Sequence, residues 1–174
     1  MAVDEPPFRV IESAGTLEVR DYPALVVAEV SVAGDQDEAG NRGFRLLAGY
    51  IFGGNTRKQS IAMTAPVVQS EQAGAWTVRF IMPQGETLAS LPTPNDARVH
   101  LVAIPPARFA VVRFSGLAFA GDVAKRTEEL RAYVTQHHWQ TIGAPVLARY
   151  NPPWTPWFMR RNEVMLPLLV GAPP

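Results

Sequence analysis

The sequence predicts an α+β domain, in which two-fold repeated β-α-β-β units form a distorted antiparallel barrel or curved sheet flanked by two helices. Three observations carry this prediction. Short runs alternate apolar and polar residues with the period of two that a half-buried strand requires. Two longer stretches repeat apolar residues at three- and four-residue steps, the period of a helix with one buried face. The chain also echoes itself in order: Pro23-Ala24 returns as Pro106-Ala107 after 83 residues, Ala65-Pro66-Val67 as Ala144-Pro145-Val146 after 79, and Met82-Pro83 as Leu166-Pro167 after 84. Ordered echoes of this kind point to a duplication. They place repeat 1 over about 8–83 and repeat 2 over about 98–168 of a single domain at 8–168, with tails at 1–7 and 169–174.

Each element has its own signal. Thr16 to Arg20 alternates and reads as a strand, and after the turn at Asp21-Tyr22-Pro23 a β-rich partner runs from Leu25 to Val32. A helix follows, because Asp35 or Asp37 can accept the orphan N–H groups of its first turn. Ala39, Gly43, Leu46/Leu47 and Tyr50/Ile51 give that helix one apolar face, and Gly53-Gly54 ends it. Trp76 to Met82 is a further strand. Residues 84–97, with LPTPND, read as a linker-like loop. The pattern then restarts: strands at Val99 to Ile104 and Phe109 to Phe114, and a helix capped near Gly121-Asp122 with Val123, Thr127, Leu130 and Val134 on one face. GAPVLARY and NEVMLPL complete repeat 2. The prolines of the two Ala-Pro-Val strings belong at strand starts, edges or bulges, since proline donates no ladder hydrogen bond.

Composition narrows the function. With 47% hydrophobic and 18% charged residues the chain is neither disordered nor a coiled coil. Sixteen basic residues balance sixteen acidic ones without a basic run, so no nucleic-acid partner is expected. The absence of cysteine removes disulfides, thiolate metal sites and a Cys nucleophile, and suits a reducing compartment. No leader-like N-terminus and no bilayer-spanning run is visible, so the expectation is a cytoplasmic protein without a membrane span, monomeric in the simplest case.

Catalytic signals are scarce. There is no nucleophile elbow, P-loop, dinucleotide fingerprint or HExxH motif, and Ser60, Ser70, Ser90 and Ser115 have no visible link to a His and an acid. Asp37/Glu38 and Glu128/Glu129 read as solvated helix faces. His100 should point away from the face of Val99 and Leu101, and His137 and His138 suit a helix C-terminus. His137 shares a face with Leu130 and Tyr133 and stays a candidate metal ligand, as does the thioether of Met63. Residues 151–168, NPPWTPWFMRRNEVMLPL, stand out. Trp154, Trp157 and Phe158 on a proline-stiffened loop beside Arg160 and Arg161 either plug the end of the core or receive a flat apolar ligand that carries carboxylates.

LEVRDYP, GFRLLAGYIFGGN with IAMTAPV, and RRNEV, in this order over roughly residues 8–168, resemble the SOUL haem-binding protein family. The resemblance implies a two-fold repeated β-α-β-β barrel and non-covalent binding of haem b or another tetrapyrrole, for haem handling or buffering without catalysis. It implies a groove beside the first helix, involving Phe44, Leu47, Ala48 and Ile51, with Met63 nearby. Trp154, Trp157 and Phe158 are our own assignment for its loop, with Arg160 or Arg161 as partners of the propionates. Two positions depart from the family. Asp21 stands where some animal members carry a histidine proposed as axial ligand, and a carboxylate is not a usual axial ligand of haem. Gly49 stands where some relatives have a basic residue. Coordination would then come from elsewhere, or haem would be held by apolar contact and propionate pairing. The alternative is an effector-sensing or protein-interaction domain that takes another hydrophobic ligand, an organic cation or a peptide. A tetrapyrrole-modifying enzyme is the least supported reading.

Overall fold

The computed structural model describes residues 3–171; the expected extreme termini, 1–2 and 172–174, lie outside the described residues. Among the described residues the elements in chain order are β1 (Arg9–Ala14), β2 (Leu17–Tyr22), β3 (Leu25–Val32), α1 (Gln36–Ile51), β4 (Val67–Gln72), β5 (Ala75–Ile81), β6 (His100–Ile104), β7 (Ala107–Ser115), α2 (Ala120–Gln136), β8 (Val146–Arg149) and β9 (Arg161–Leu168), with a single 3-10 turn at Trp157–Met159. All strand pairs described below are antiparallel, and the fold class is the α+β one expected. No helix among the described residues is long and apolar enough to cross a membrane.

The chain forms two compact units. Unit 1 comprises Ala24–Pro105 with the N-terminal residues up to Pro6; unit 2 comprises Pro7–Pro23 with the chain from Pro106 onward. These are not the sequence repeats. β2, of repeat 1, pairs with β7 in unit 2, and β6, of repeat 2, pairs with β3 in unit 1. The connections explain the exchange. A tight hairpin needs positive φ in its two-residue loop, as Ala73-Gly74 provides between β4 and β5 with φ of 50° and 79°. The links β2–β3 (Pro23-Ala24) and β6–β7 (Pro105-Pro106) are also two residues long, but proline is fixed near φ −65°. Strands joined that way cannot fold back on each other, so each finds a partner elsewhere.

In unit 1 the strand order is β4-β5-β3-β6, and α1 packs on β5 and β3. The Asp35 carboxylate accepts from Glu38 N at 2.9 Å while the Glu38 carboxylate reaches back to Asp35 N, a capping box that fixes the start of α1. Ala39, Gly43, Leu47, Tyr50 and Ile51 are its buried face, against Ala28, Val30, Val32, Val78 and Phe80. Asn55, buried beyond the helix end, donates to Tyr50 O and Gln59 O and accepts from Arg57 N and Gln59 N. The segment expected as a linker is packed: Leu91 joins the core, and Pro92 O accepts from the Tyr50 hydroxyl at 2.7 Å. Part of the expected N-terminal tail is also fixed, because Asp4 bridges Thr64 and its carbonyl accepts from Ala65 N at 2.9 Å. The Ala65-Pro66 bond is cis, and Pro66 directly precedes β4 just as Pro145 directly precedes β8.

In unit 2 the order is β1-β2-β7-β9-β8, with α2 on β7 and β9. Val19, Ala110, Val112, Phe114, Val164, Leu166 and Leu168 on one sheet face meet Leu130, Tyr133 and Val134 of α2. The N-cap of α2 is Phe119, not the expected Gly121-Asp122; Asp122 lies inside the first turn and its carboxylate accepts from Phe119 N at 3.2 Å. Strand β1 has no counterpart in the elements expected from sequence.

Candidate functional site

In unit 1 the exposed side of α1 carries one apolar line. Phe44, Ala48 and Phe52 follow at four-residue steps, which brings them to the same side of a helix. Phe44 is 39% exposed and Phe52, the C-cap residue, 70%, while Ala48 between them is half-buried. Phe44 is supported from beneath by the buried ring of Phe80, edge-on at 5.3 Å. Arg45 is exposed beside Phe44 and supplies a cation. Leu47 and Ile51, expected to line a groove, are instead fully buried in the core; they form the floor beneath the helix and present nothing to a ligand. Met63 is partly buried and packs on the same core. Phe52 and Arg45 were not singled out in the sequence, although the four-residue step from Phe44 could have revealed Phe52.

In unit 2 the aromatic loop is open, not a plug. Trp154 is 83%, Trp157 61% and Phe158 62% exposed, the last two meeting edge-on at 5.7 Å around the 3-10 turn. The loop closes on itself: Thr155 N donates to Pro152 O, Met159 N to Pro156 O and Arg161 N to Asn151 Oδ1. The Arg160 guanidinium donates to Thr155 O at 2.8 Å and to Pro153 O. It therefore braces the loop, whereas the sequence offered it to a propionate. Arg161 stacks over the Tyr150 ring at 3.6 Å.

The remaining candidates fall elsewhere. His100 is exposed on β6, turned from buried Val99 as alternation required. His137 caps α2; its Nδ1 lies 2.9 Å from Tyr133 O and its ring stacks on Tyr133 at 4.0 Å. A carbonyl only accepts, so Nδ1 is the donor in this contact and Nε2 is the ring nitrogen that a metal could take from the neutral side chain. Asp21 is clamped by Arg108 through Nε at 2.6 Å and Nη2 at 2.9 Å, and these hydrogen bonds hold its carboxyl below the usual carboxylate range. Among the described residues no three His, Cys, Asp or Glu side chains gather as a metal site.

The sequence motifs LEVRDYP and RRNEV meet in unit 2, on the sheet face turned from α2. Arg20 on β2 donates to Glu163 on β9 through Nη1 at 2.9 Å and Nη2 at 2.7 Å. Both are buried, 1% and 0% exposed, and lie 143 residues apart in the chain. Arg20 also donates through Nε to Glu18 at 2.6 Å and through Nη1 to the Tyr22 hydroxyl at 3.0 Å, and its guanidinium lies 4.2 Å from the Phe8 ring centre. The Tyr150 hydroxyl donates to Glu163 Oε1. Burial disfavours the charge on Arg20, but the hydrogen bond to Glu163 and the neighbouring acidic groups outweigh it, so its pKa rises further. Burial, then the field of Glu163, pushes the Tyr150 hydroxyl well up; burial likewise raises Tyr22, against the opposing pull of Arg20.

The chain is similar to known proteins. Heme-binding protein 1 of Xenopus tropicalis is 26% identical over 161 residues, covering 84% of this chain and 80% of that protein. The C-terminal domain of EcmrR superposes with a TM-score of 0.69 at 11% identity, over 88% of this chain and 96% of that one. A hydrolase from Listeria innocua does so with a TM-score of 0.64 at 15% identity, over 88% and 92%. The last two likenesses concern the fold alone. The family model described as SOUL heme-binding protein matches residues 3–167, and the chain belongs to that family.

Proposed function

We propose that this chain binds haem b or a related tetrapyrrole non-covalently, for handling or buffering and not for catalysis, and that α1 offers the contact in unit 1. One observation carries the reading: the exposed line Phe44–Ala48–Phe52 on a helix whose other exposed positions are mostly polar. Two exposed phenylalanines eight residues apart, with Ala48 midway between them and Phe44 braced by Phe80, make an apolar strip for a macrocycle face, worth about 25 cal/mol per Å² covered before the costs of association. Arg45 suits a propionate, because a guanidinium pairs with a carboxylate through two parallel hydrogen bonds. The residues thus fit the apolar face and the acids of a porphyrin. Leu47 and Ile51 support the strip, Met63, packed on this unit's core, is the thioether candidate for iron, and His137 remains the candidate in unit 2.

Titration with hemin tests this. A saturable Soret shift at micromolar protein is expected, weakened tenfold or more by Phe44→Asp or Phe52→Asp, and unchanged by His100→Ala. A spectrum equal to free hemin at all ratios overturns the reading.

A second reading rests on the loop. Trp154, Trp157 and Phe158 are exposed on a loop braced by Arg160, a preorganised aromatic surface that suits a peptide or a lipophilic cation. Thermal stabilisation by such a ligand, lost in Trp157→Ala and not given by hemin, would favour it.

A further inference from the structure

Arg20 sits in what is, atom for atom, a receptor for a guanidinium ion. Four of its five N–H donors meet acceptors on the surrounding side chains. Glu163 takes Nη1 and Nη2 side by side, the Tyr22 hydroxyl takes a further Nη1 hydrogen, and Glu18 takes Nε. Phe8 covers a face of the ion at 4.2 Å. The Tyr150 hydroxyl holds Glu163 in place by donating to Oε1, so the carboxylate is oriented without using the cation. Two features separate this arrangement from an ordinary ion pair. Every wall is contributed by other residues, Phe8, Glu18, Tyr22, Tyr150 and Glu163, and several of these are fixed in the β2 and β9 ladders. The most exposed of these walls is Phe8, at 38%, while the Glu18 side chain is 26% exposed and Glu163 is fully buried.

We propose that unit 2 contains a binding site for a small planar organic cation of the guanidinium or amidinium class, occupied in the folded chain by its own Arg20 side chain. Phe8 is the lid of this site, Glu163 its anionic floor and Tyr150 the group that orients the floor. The wild-type chain takes no external cation there, because the tethered guanidinium is always present. Removing the tether and leaving the walls exposes the site.

The test is Arg20→Ala, probed with ethylguanidinium, which restores the atoms that this substitution removes beyond Cβ. Thermal unfolding should show a loss in Tm for Arg20→Ala and a saturable recovery of at least half of that loss at millimolar ethylguanidinium. N-ethylurea, the neutral analogue of the same shape, should recover nothing. Adding Glu163→Gln to Arg20→Ala should abolish the response, Phe8→Ala should weaken it several-fold, and the wild type should show none. If Arg20→Ala alone does not fold, refolding in ethylguanidinium should restore its circular dichroism while refolding in N-ethylurea should not. Equal recovery by N-ethylurea, an equal response from the wild type, or no recovery by ethylguanidinium in either format overturns the proposal.

Discussion

Units 1 and 2 carry the same charged position and treat it oppositely. The 84-residue step that takes Met82-Pro83 to Leu166-Pro167 also takes Arg79 to Glu163, and Glu29 to Arg113. In unit 1, Arg79 pairs with its cross-strand neighbour Glu29 at 2.6 Å, with side chains 35% and 23% exposed. In unit 2, Glu163 stands in register with Arg113 but bonds instead to Arg20, out of contact with water. A repeat fixes where a charge sits on a strand; the chain crossing beside it decides whether that charge stays wet. Here β2, brought in by its proline-bearing connection, covers Glu163 and delivers the compensating guanidinium.

The largest effect should come from breaking the buried pair. Glu163→Gln takes the buried counter-charge from the Arg20 cation and leaves it only the partly exposed Glu18 carboxylate; breaking a buried pair in this way costs about 3–5 kcal/mol. Urea unfolding measures it directly. A loss under 1 kcal/mol would mean that water reaches Arg20 and that the two units do not differ in the way the burial indicates.

Next in size is a packing contrast between the helices. A Cβ on Gly43 of α1 would lie 2.6 Å from Val78 Cγ2, whereas one on Gly121 of α2 meets nothing within 4 Å. Gly43→Ala should therefore destabilise by about 1–3 kcal/mol despite alanine's better helix propensity. Gly49→Ala, on the open side of the same helix, should stabilise by up to about 1 kcal/mol. Equal effects at the two positions would show that α1 is not held against β5 through Gly43.

Alkaline pH should report unit 2 preferentially. Burial and Glu163 raise the Tyr150 pKa above its unfolded value near 10. A raised folded pKa favours folding fully below the unfolded pKa, and that contribution is lost as pH rises towards the folded one. Stability should thus fall above about pH 10, by at most about 1.4 kcal/mol per pH unit for this group. Tyr150→Phe should flatten that fall, even though it lowers stability at neutral pH. An unchanged slope would remove Tyr150 from the account.

What the sequence revealed follows from where the signal is local. β3 was legible from Leu25 to Val32 because all its determinants lie within eight residues, and α1 because Asp35 and Gly53 mark its ends. The exchange of β2 and β6 between units was not legible, since it depends on which strand a proline-bearing link cannot fold back upon. The Arg20–Glu163 pair was hidden for the same reason: both residues stood in recognised motifs, but 143 residues separate them. On the candidate surface, helix periodicity placed Leu47 and Ile51 correctly on the packed face, and the groove expectation conflicted with that periodicity. Phe44 and Ala48 lie on the other side. Phe52 was missed because it sits at the helix cap, where periodicity is about to end.

The smallest expected effect is the sharpest check on the comparison. Arg79–Glu29 is as short as the buried pair, so distance alone would rate them alike. Solvent decides otherwise: partly exposed charges are screened, and holding two long side chains together costs entropy that offsets the attraction. A double-mutant cycle with Arg79→Ala and Glu29→Ala should give a coupling of about 0.2–1 kcal/mol, shrinking as salt is raised. The corresponding cycle at Arg20 and Glu163 should be several times larger and little affected by salt. If Arg79 and Glu29 couple by more than about 2 kcal/mol at high salt, then the pair in unit 1 is dehydrated in solution too, and both units bury their ion pair.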